Sequence, residues 1–188
     1  GLVRAAILVP WAIPTVVSAK MWGLIFDADG VMNKVIGQQV LWLADGPQSQ
    51  WAIIIADVWK TAPFIGLLTL AGLQTIPAEV YEAAKVDGAS AWQQFTRITL
   101  PNALPSIGVT ALVAFLMGYT EFAIGWLFIE RSANMTLAMS LWGMLTFGSL
   151  PWSQLAALAL MMSVPVIIIF LVLQRALFDK LTFGEMKA

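Results

Sequence analysis

Glu82-Ala83-Ala84-Lys85-Val86-Asp87-Gly88-Ala89-Ser90-Ala91-Trp92-Gln93 is the long polar island of an otherwise apolar chain, and it runs on through Ile98 and Leu100 to Pro101. Read locally, it predicts two short helices. Pro77 suits a first helical position, where its missing N–H goes unused, and Glu79 and Glu82 favour the positive N-terminal end. Ala83 and Ala84 form helix readily and, carrying almost no side chain, let another surface approach the backbone. Gly88 is placed to end this helix in the left-handed conformation. Ser90 to Gln93 has the form of a capping box, with Ser90 as N-cap and Gln93 reaching back. Pro101 disfavours helix at Leu100 and should stop the second helix there. The expectation is a helix-turn-helix with a small-residue face, held between two apolar spans over residues 74–102.

The surroundings of the island are those of a membrane protein. Of 188 residues, 60% are hydrophobic and 11% charged, and the mean hydropathy is +0.82. A soluble domain carries about a quarter charged residues, so this chain lacks the polar groups to cover itself in water. It has no Cys and no His, which excludes disulfides, thiolate nucleophiles, imidazole acid–base chemistry and the usual zinc ligands. A net charge of −1 offers nothing to nucleic acid. Gly88-Ala89-Ser90 has part of a nucleophile motif, but no His exists to act as base, and Ser90 has a better use as a cap. No catalytic residue, metal site or cofactor is expected. A G-x-x-x-x-G-K-[ST] loop is missing, so the chain is not expected to bind nucleotide by a P-loop.

Four stretches are long enough to cross the hydrocarbon core as helices, which makes the fold class an all-α polytopic transmembrane bundle. They cover residues 2–26, 51–73, 103–129 and 155–178 of one transmembrane domain. Pro10, Pro14, Pro63 and Pro165 fall inside them and predict kinked, cavity-lining walls, because neighbouring helices can re-satisfy freed carbonyls. Lys85, Arg97, Arg175, Lys180, Lys187 and Arg4 fall on one side; Lys34 and Arg131 fall on the other. Six against two puts the polar island and the C-terminus in the cytoplasm. Residues 27–50 then form an external loop with turns at Asp29-Gly30 and Gly46-Pro47, and Trp42 and Leu43 as an interfacial segment. Trp11, Trp22, Trp51, Trp126 and Trp152 read as interface anchors.

Glu82-Ala83-Ala84, three residues, Gly88, nine residues, Ile98, one residue, then Leu100-Pro101 resembles the EAA loop of the permease subunits of binding-protein-dependent ABC importers. Ile76-Pro77, Asp87-Gly88-Ala89 and Ile98-Thr99-Leu100-Pro101 are similar to the carbohydrate-uptake branch, the maltose/trehalose type. The resemblance implies that the island is a cytoplasmic coupling helix. Glu82, Ala83, Ala84, Asp87, Gly88, Ile98, Leu100 and Pro101 would then meet a separate ATPase subunit, with ATP and Mg bound there and not on this chain. It further implies a second permease chain, identical or different, two ATP-binding subunits, an extracytoplasmic sugar-binding protein and a bacterial or archaeal cytoplasmic membrane. Family members carry further spans upstream, so N-terminal spans are expected to be missing here. Pro10-Trp11-Ala12-Ile13-Pro14 and Trp59-Lys60-Thr61-Ala62-Pro63-Phe64 resemble the first of the two sugar-permease types. Tyr119-Thr120-Glu121-Phe122 and Leu181-Thr182-Phe183-Gly184 resemble the second.

Ionisable groups inside spans are costly and are functional candidates. Asp57, Thr61 and Phe64 recur at i, i+4 and i+7, which puts them on one helix face. A carboxylate, a hydroxyl and a ring on one stripe suit a sugar; the alternative reading of Asp57 is a wetted residue within two turns of the outer interface. Lys60 lies one residue off the stripe. Gly118, Glu121 and Gly125 share a face at i, i+3 and i+7, so Glu121 would project from a helix side cleared of bulk. Its alternatives are a cavity wall or a partner for Lys20 or Lys60. The resemblance places sugar-contacting positions in this part of the span, with Tyr119 and Thr120 beside Glu121. The competing function is an ion-coupled secondary transporter using Asp57 and Glu121.

Overall fold

The structure, a computed structural model, describes residues 6–44, 46–129, 135–146 and 151–185, with side chains up to Gln174 in the last segment. Arg4, Arg131 and Lys187 of the charge count lie outside these residues, as do the side chains of Arg175 and Lys180. Among the described residues every regular element is a helix. Three helical segments are long and apolar enough to cross a membrane: Pro47–Leu73, Ala91–Phe128 and Trp152–Gln174. The chain divides into two compact units, 1–64 with 116–164 and 65–115 with 165–188.

The first unit contains α1 (Val9–Ala12), α2 (Thr15–Ile25), α3 (Val31–Ile36), the start of α4 (Pro47–Leu73), α8 (Ala123–Phe128) and α9 (Leu137–Thr146). Residues 2–26 do not form one interrupted span. α1 ends at Ala12, Ile13 and Pro14 are extended with ψ of 132° and 137°, and α2 begins at Thr15. The cause is local: the ring of Pro14 excludes the helical region for Ile13. The 11 residues of α2 rise only about 16 Å, half of a hydrocarbon core. α2 packs along α8, and the core gathers Ala19, Phe26, Ala52, Ala56, Ile124, Phe128 and Met139. Phe26 meets Phe128 edge-on at 6.0 Å.

The loop after α2 is built around Asn33, which the sequence reading did not single out. Its side chain donates to the carbonyls of Ala28 and Val40 and accepts from Val40 N–H and Trp42 Nε1–H. One buried amide thereby closes the loop and delivers Trp42 onto Phe26, ring centroids 5.3 Å apart. Trp42 is partly buried and packs against this core. Trp22 is likewise internal, stacked on Phe26 and edge-on to Trp59. Trp51 and Trp152, at 60% and 70% exposed, are free to serve as anchors.

The second unit holds the end of α4, α5 (Ala78–Val86), α6 (Ala91–Gln94), a π turn over Phe95–Thr99, most of α7 (Leu100–Tyr119), and α10 (Trp152–Glu185) from Pro165 onward. Pro101 does not stop the helix, contrary to expectation. α6, the π turn and α7 run on as one helical segment. The proline has no N–H for the carbonyl four residues back, and the widened turn takes up the mismatch, with Leu100 N–H donating to Phe95 O. Side chains supply further donors, Asn102 Nδ2 to Ile98 O at 2.7 Å and Thr99 Oγ1 to Gln94 O at 3.4 Å. The third span accordingly begins earlier than residue 103, and it breaks at Thr120–Phe122 before α8. α4 and α7 approach closely where a Cβ on Gly72 would fall within the Ser106 side chain. In α10, Leu160 and Val172 are 68% and 64% exposed. A chain this apolar on its outside needs lipid or other membrane helices around it.

Candidate functional site

Two places concentrate the sequence-predicted residues. One is a cavity of about 570 Å³ in the first unit, walled by residues 11–15, by Asp57, Lys60 and Thr61 of α4, by Met117, and by residues 120–123. Asp57, Thr61, Thr120 and Glu121 are brought together here. Phe64 and Tyr119 are not among the lining residues.

The break at Pro14 creates one wall, and the break at Thr120–Phe122 the other. Glu121 therefore does not project from a continuous helix. Its carboxylate turns onto the start of α8 and accepts from Ile124 N–H at 2.6 Å and Gly125 N–H at 3.0 Å. It caps a buried helix end, whose donors would otherwise be orphaned. Gly125 leaves it room: a Cβ there would lie 3.2 Å from Glu121 Oε2 and 3.0 Å from Met139 Sδ. The partner of Glu121 is thus backbone, neither Lys20 nor Lys60. Thr136 ties the same corner, donating to Glu121 O at 3.4 Å and accepting from Met139 N–H at 3.2 Å.

Asp57 faces the cavity differently. No hydrogen bond to its carboxylate is formed among the described residues, and a Cβ at Gly118 would stand 3.9 Å from its Oδ2. Gly118 thus faces Asp57 rather than Glu121, and a side chain there would only touch the carboxylate. Thr61 and Thr120 spend their hydroxyl protons on Asp57 O and Leu116 O, at 2.8 and 2.7 Å, so each offers the cavity an acceptor oxygen. The ring at the wall is Trp11. Phe64 stacks behind it, centroids 4.4 Å apart and planes 9° apart. Trp11 and Lys60 were overlooked as cavity residues because their partners lie 47 and more residues away.

The second place is the polar island. α5 ends as expected: Gly88 has φ +74°, Ala89 N–H donates to Ala84 O at 2.9 Å and Gly88 N–H to Lys85 O at 3.1 Å, the paired bonds of a Schellman motif. Ser90 and Gln93 form the reciprocal capping box, at 2.8 and 3.3 Å. Pro77 takes the N-cap, one position before the helix, rather than its first residue. Tyr81 and Thr99 join the hairpin's two arms through their hydroxyls at 3.0 Å. Glu82, Ala83, Asp87 and Gly88 are exposed, and Ala84 is buried within the chain at 8%. The small-residue face is therefore split, with Ala84 serving the hairpin and Ala83 open. Ile98 is half-buried in the π turn, while Leu100 and Pro101 are exposed at the start of α7.

The family model described as "Binding-protein-dependent transport system inner membrane component" matches residues 1–182. The chain belongs to this family. Among curated relatives, the chain is 46% identical over 129 residues to the trehalose/maltose transport system permease protein MalF of Thermococcus litoralis, covering 66% of this chain and 44% of the relative. It is 39% identical to the trehalose transport system permease protein SugA of Mycobacterium tuberculosis, over 65% of this chain and 40% of that one. It is 32% identical to the maltodextrin transport system permease protein MalC of Streptococcus pneumoniae, over 88% and 43%. The chain thus spans less than half the length of these relatives. A solved bacterial ABC transporter involved in import of the acidic polysaccharide alginate shares the fold, with a TM-score of 0.76 at 22% identity, over 95% of this chain and 65% of that one. The chain is all-helical in its described residues and multi-pass, as the sequence implied.

Proposed function

We propose that the chain is part of a permease subunit in an ATP-driven importer of a di- or oligosaccharide, seated in a bacterial or archaeal cytoplasmic membrane. The observation that carries this reading is the capped, exposed hairpin of α5 and α6 inside a chain matched from residue 1 to 182 by the binding-protein-dependent family. Glu82, Ala83, Asp87 and Gly88 would present that hairpin to a groove on an ATPase subunit, with Ile98, Leu100 and Pro101 at the root of the following span. Closure of the ATPase pair would then tilt the attached helices as rigid bodies. The importer would hold two permease chains, two ATP-binding subunits that carry ATP and Mg, and an extracytoplasmic sugar-binding protein. The cytoplasmic side is that of the hairpin.

The sugar path in this reading is the first-unit cavity. Asp57, Thr61 and Thr120 offer acceptors to sugar hydroxyls, which donate, and the Trp11 ring suits the apolar face of a pyranose. Glu121 shapes the wall, and Phe64 and Tyr119 stand outside the lining. The curated relatives named for trehalose, maltose and maltodextrin favour a neutral glucose-based cargo. Uptake of labelled trehalose, maltose and maltodextrins into vesicles containing the complete complex tests this directly. Uptake should need ATP inside and a binding protein outside, and survive ionophores. Uptake driven by an ion gradient without ATP would overturn it.

A further inference from the structure

Lys60 is 7% exposed; Asp57, one turn back on α4, is within electrostatic reach, but the hydrogen bonds of the ammonium go to backbone. Nζ donates to Ile13 O at 2.6 Å and reaches Trp11 O at 3.5 Å. Both carbonyls are stranded by the break before Pro14: a continued helix would have paired them with Thr15 and Val17 N–H, but Ile13 and Pro14 are extended. Carbonyls that have lost their helical N–H must be satisfied by a side chain or by water, and here the lysine does it. A cation at the C-terminal end of α1 also meets the negative end of that helix. The same ammonium sits 5.9 Å from the centroid of Trp11, whose ring stacks on Phe64. Lys60 and Phe64 are one turn apart on α4, so a single helix face grips Trp11 and the carbonyls beside it.

We propose that Lys60 is a positioning residue of the translocation path: by donating to the Ile13 and Trp11 carbonyls it holds the α1–α2 break in place as one wall of the cavity. The tie does not depend on what the cavity carries; its relevance to transport rests on the sugar-importer reading above. The substitutions that separate chemistry from bulk are Lys60→Met, which keeps an unbranched stem and removes the donor, and Lys60→Arg, which can donate to both carbonyls.

Because the chain has no Cys, a single cysteine at Ala12, on the cavity wall, reports on the break, and one at Gln38, in the α3–α4 loop, is the control. In the solubilised complete complex, Lys60→Met should speed alkylation at position 12 by a small hydrophilic thiol reagent at least five-fold. Lys60→Arg should return it to within two-fold of wild type, and position 38 should not change. An unaltered rate at position 12, a failure of Arg to rescue, or an equal rise at both positions would overturn the tie. In proteoliposomes, ATP-dependent sugar uptake should fall at least ten-fold with Met and recover with Arg. Faster labelling with normal uptake would overturn the positioning role, whereas a wild-type complex without ATP-dependent uptake would sink the importer reading and leave the labelling result to judge the tie.

Discussion

Replacing Glu121 by Ala is expected to loosen α8 before it touches any sugar. The carboxylate accepts two N–H groups, from Ile124 at 2.6 Å and Gly125 at 3.0 Å, and both residues are buried. Loss of an N-cap costs about 0.5–2 kcal/mol, and each buried donor left unpaired costs about 1–3 kcal/mol. Water entering from the adjoining cavity can relieve part of this, which puts the expected local cost at about 2–3 kcal/mol for the pair. Glu121→Gln keeps one acceptor oxygen and should cost about half as much. The direct assay is hydrogen–deuterium exchange across residues 122–129 in the solubilised complex. A local opening made easier by 2–3 kcal/mol speeds exchange roughly 30- to 150-fold, with Gln between Ala and wild type. Gly125→Ala should mimic the effect, since its Cβ would press on Met139 Sδ and Glu121 Oε2. Unchanged exchange in Glu121→Ala would refute the cap and return Glu121 to the role of a pure cavity residue. Lost transport in Glu121→Ala is not by itself proof of a sugar contact.

Gly88 has φ +74° but no atom within 4 Å of a Cβ placed there, so the penalty for a side chain is conformational rather than steric. Gly88→Asn should keep near-normal uptake, while Gly88→Val, costing about 1–2 kcal/mol or more, should release the ATPase subunits in co-purification. Gly72→Ala is expected to abolish stable assembly, judged by yield and heat resistance in detergent, because its methyl would occupy the place of the Ser106 side chain. Ser106→Gly in the same chain should restore it; failure of the double variant to recover would show that the close approach is not the cause.

The sequence carried the hairpin well because its signals are local. A left-handed glycine and an S-x-x-Q box act within three or four residues of themselves, and Gly88, Ser90 and Gln93 adopt the forms their chemistry requires. The same local logic failed at Pro101, where the compensation comes from a π turn and from Thr99 and Asn102 side chains. Pro14 was read as a kink within a span, and it separates two short helices instead. The cavity was legible in part: Asp57, Thr61, Thr120 and Glu121 do converge. Its remaining members depend on pairings across the chain, Lys60 with Ile13 and Trp11 with Phe64. Periodicity says which residues share a helix face, and nothing about which distant carbonyl a lysine will reach.

Those pairings change how the intramembrane charges are weighed. An ionisable side chain in a span is a functional candidate by default because burying it is costly. Here Lys60 and Glu121 each meet that cost at a break in a helix, one donating to carbonyls at the end of α1 and the other accepting from N–H groups at the start of α8. Both breaks lie in the cavity lining, so on the proposal above these two charges act on the shape of the walls. Asp57 is different. It sits within regular helix, its own backbone carbonyl is used by Thr61, and Lys60 one turn on is the cation within its electrostatic reach. No discontinuity in the fold requires a carboxylate at that point. In the proposed sugar path, Asp57 is therefore the carboxylate left to meet a cargo, with the Trp11 ring in the same lining.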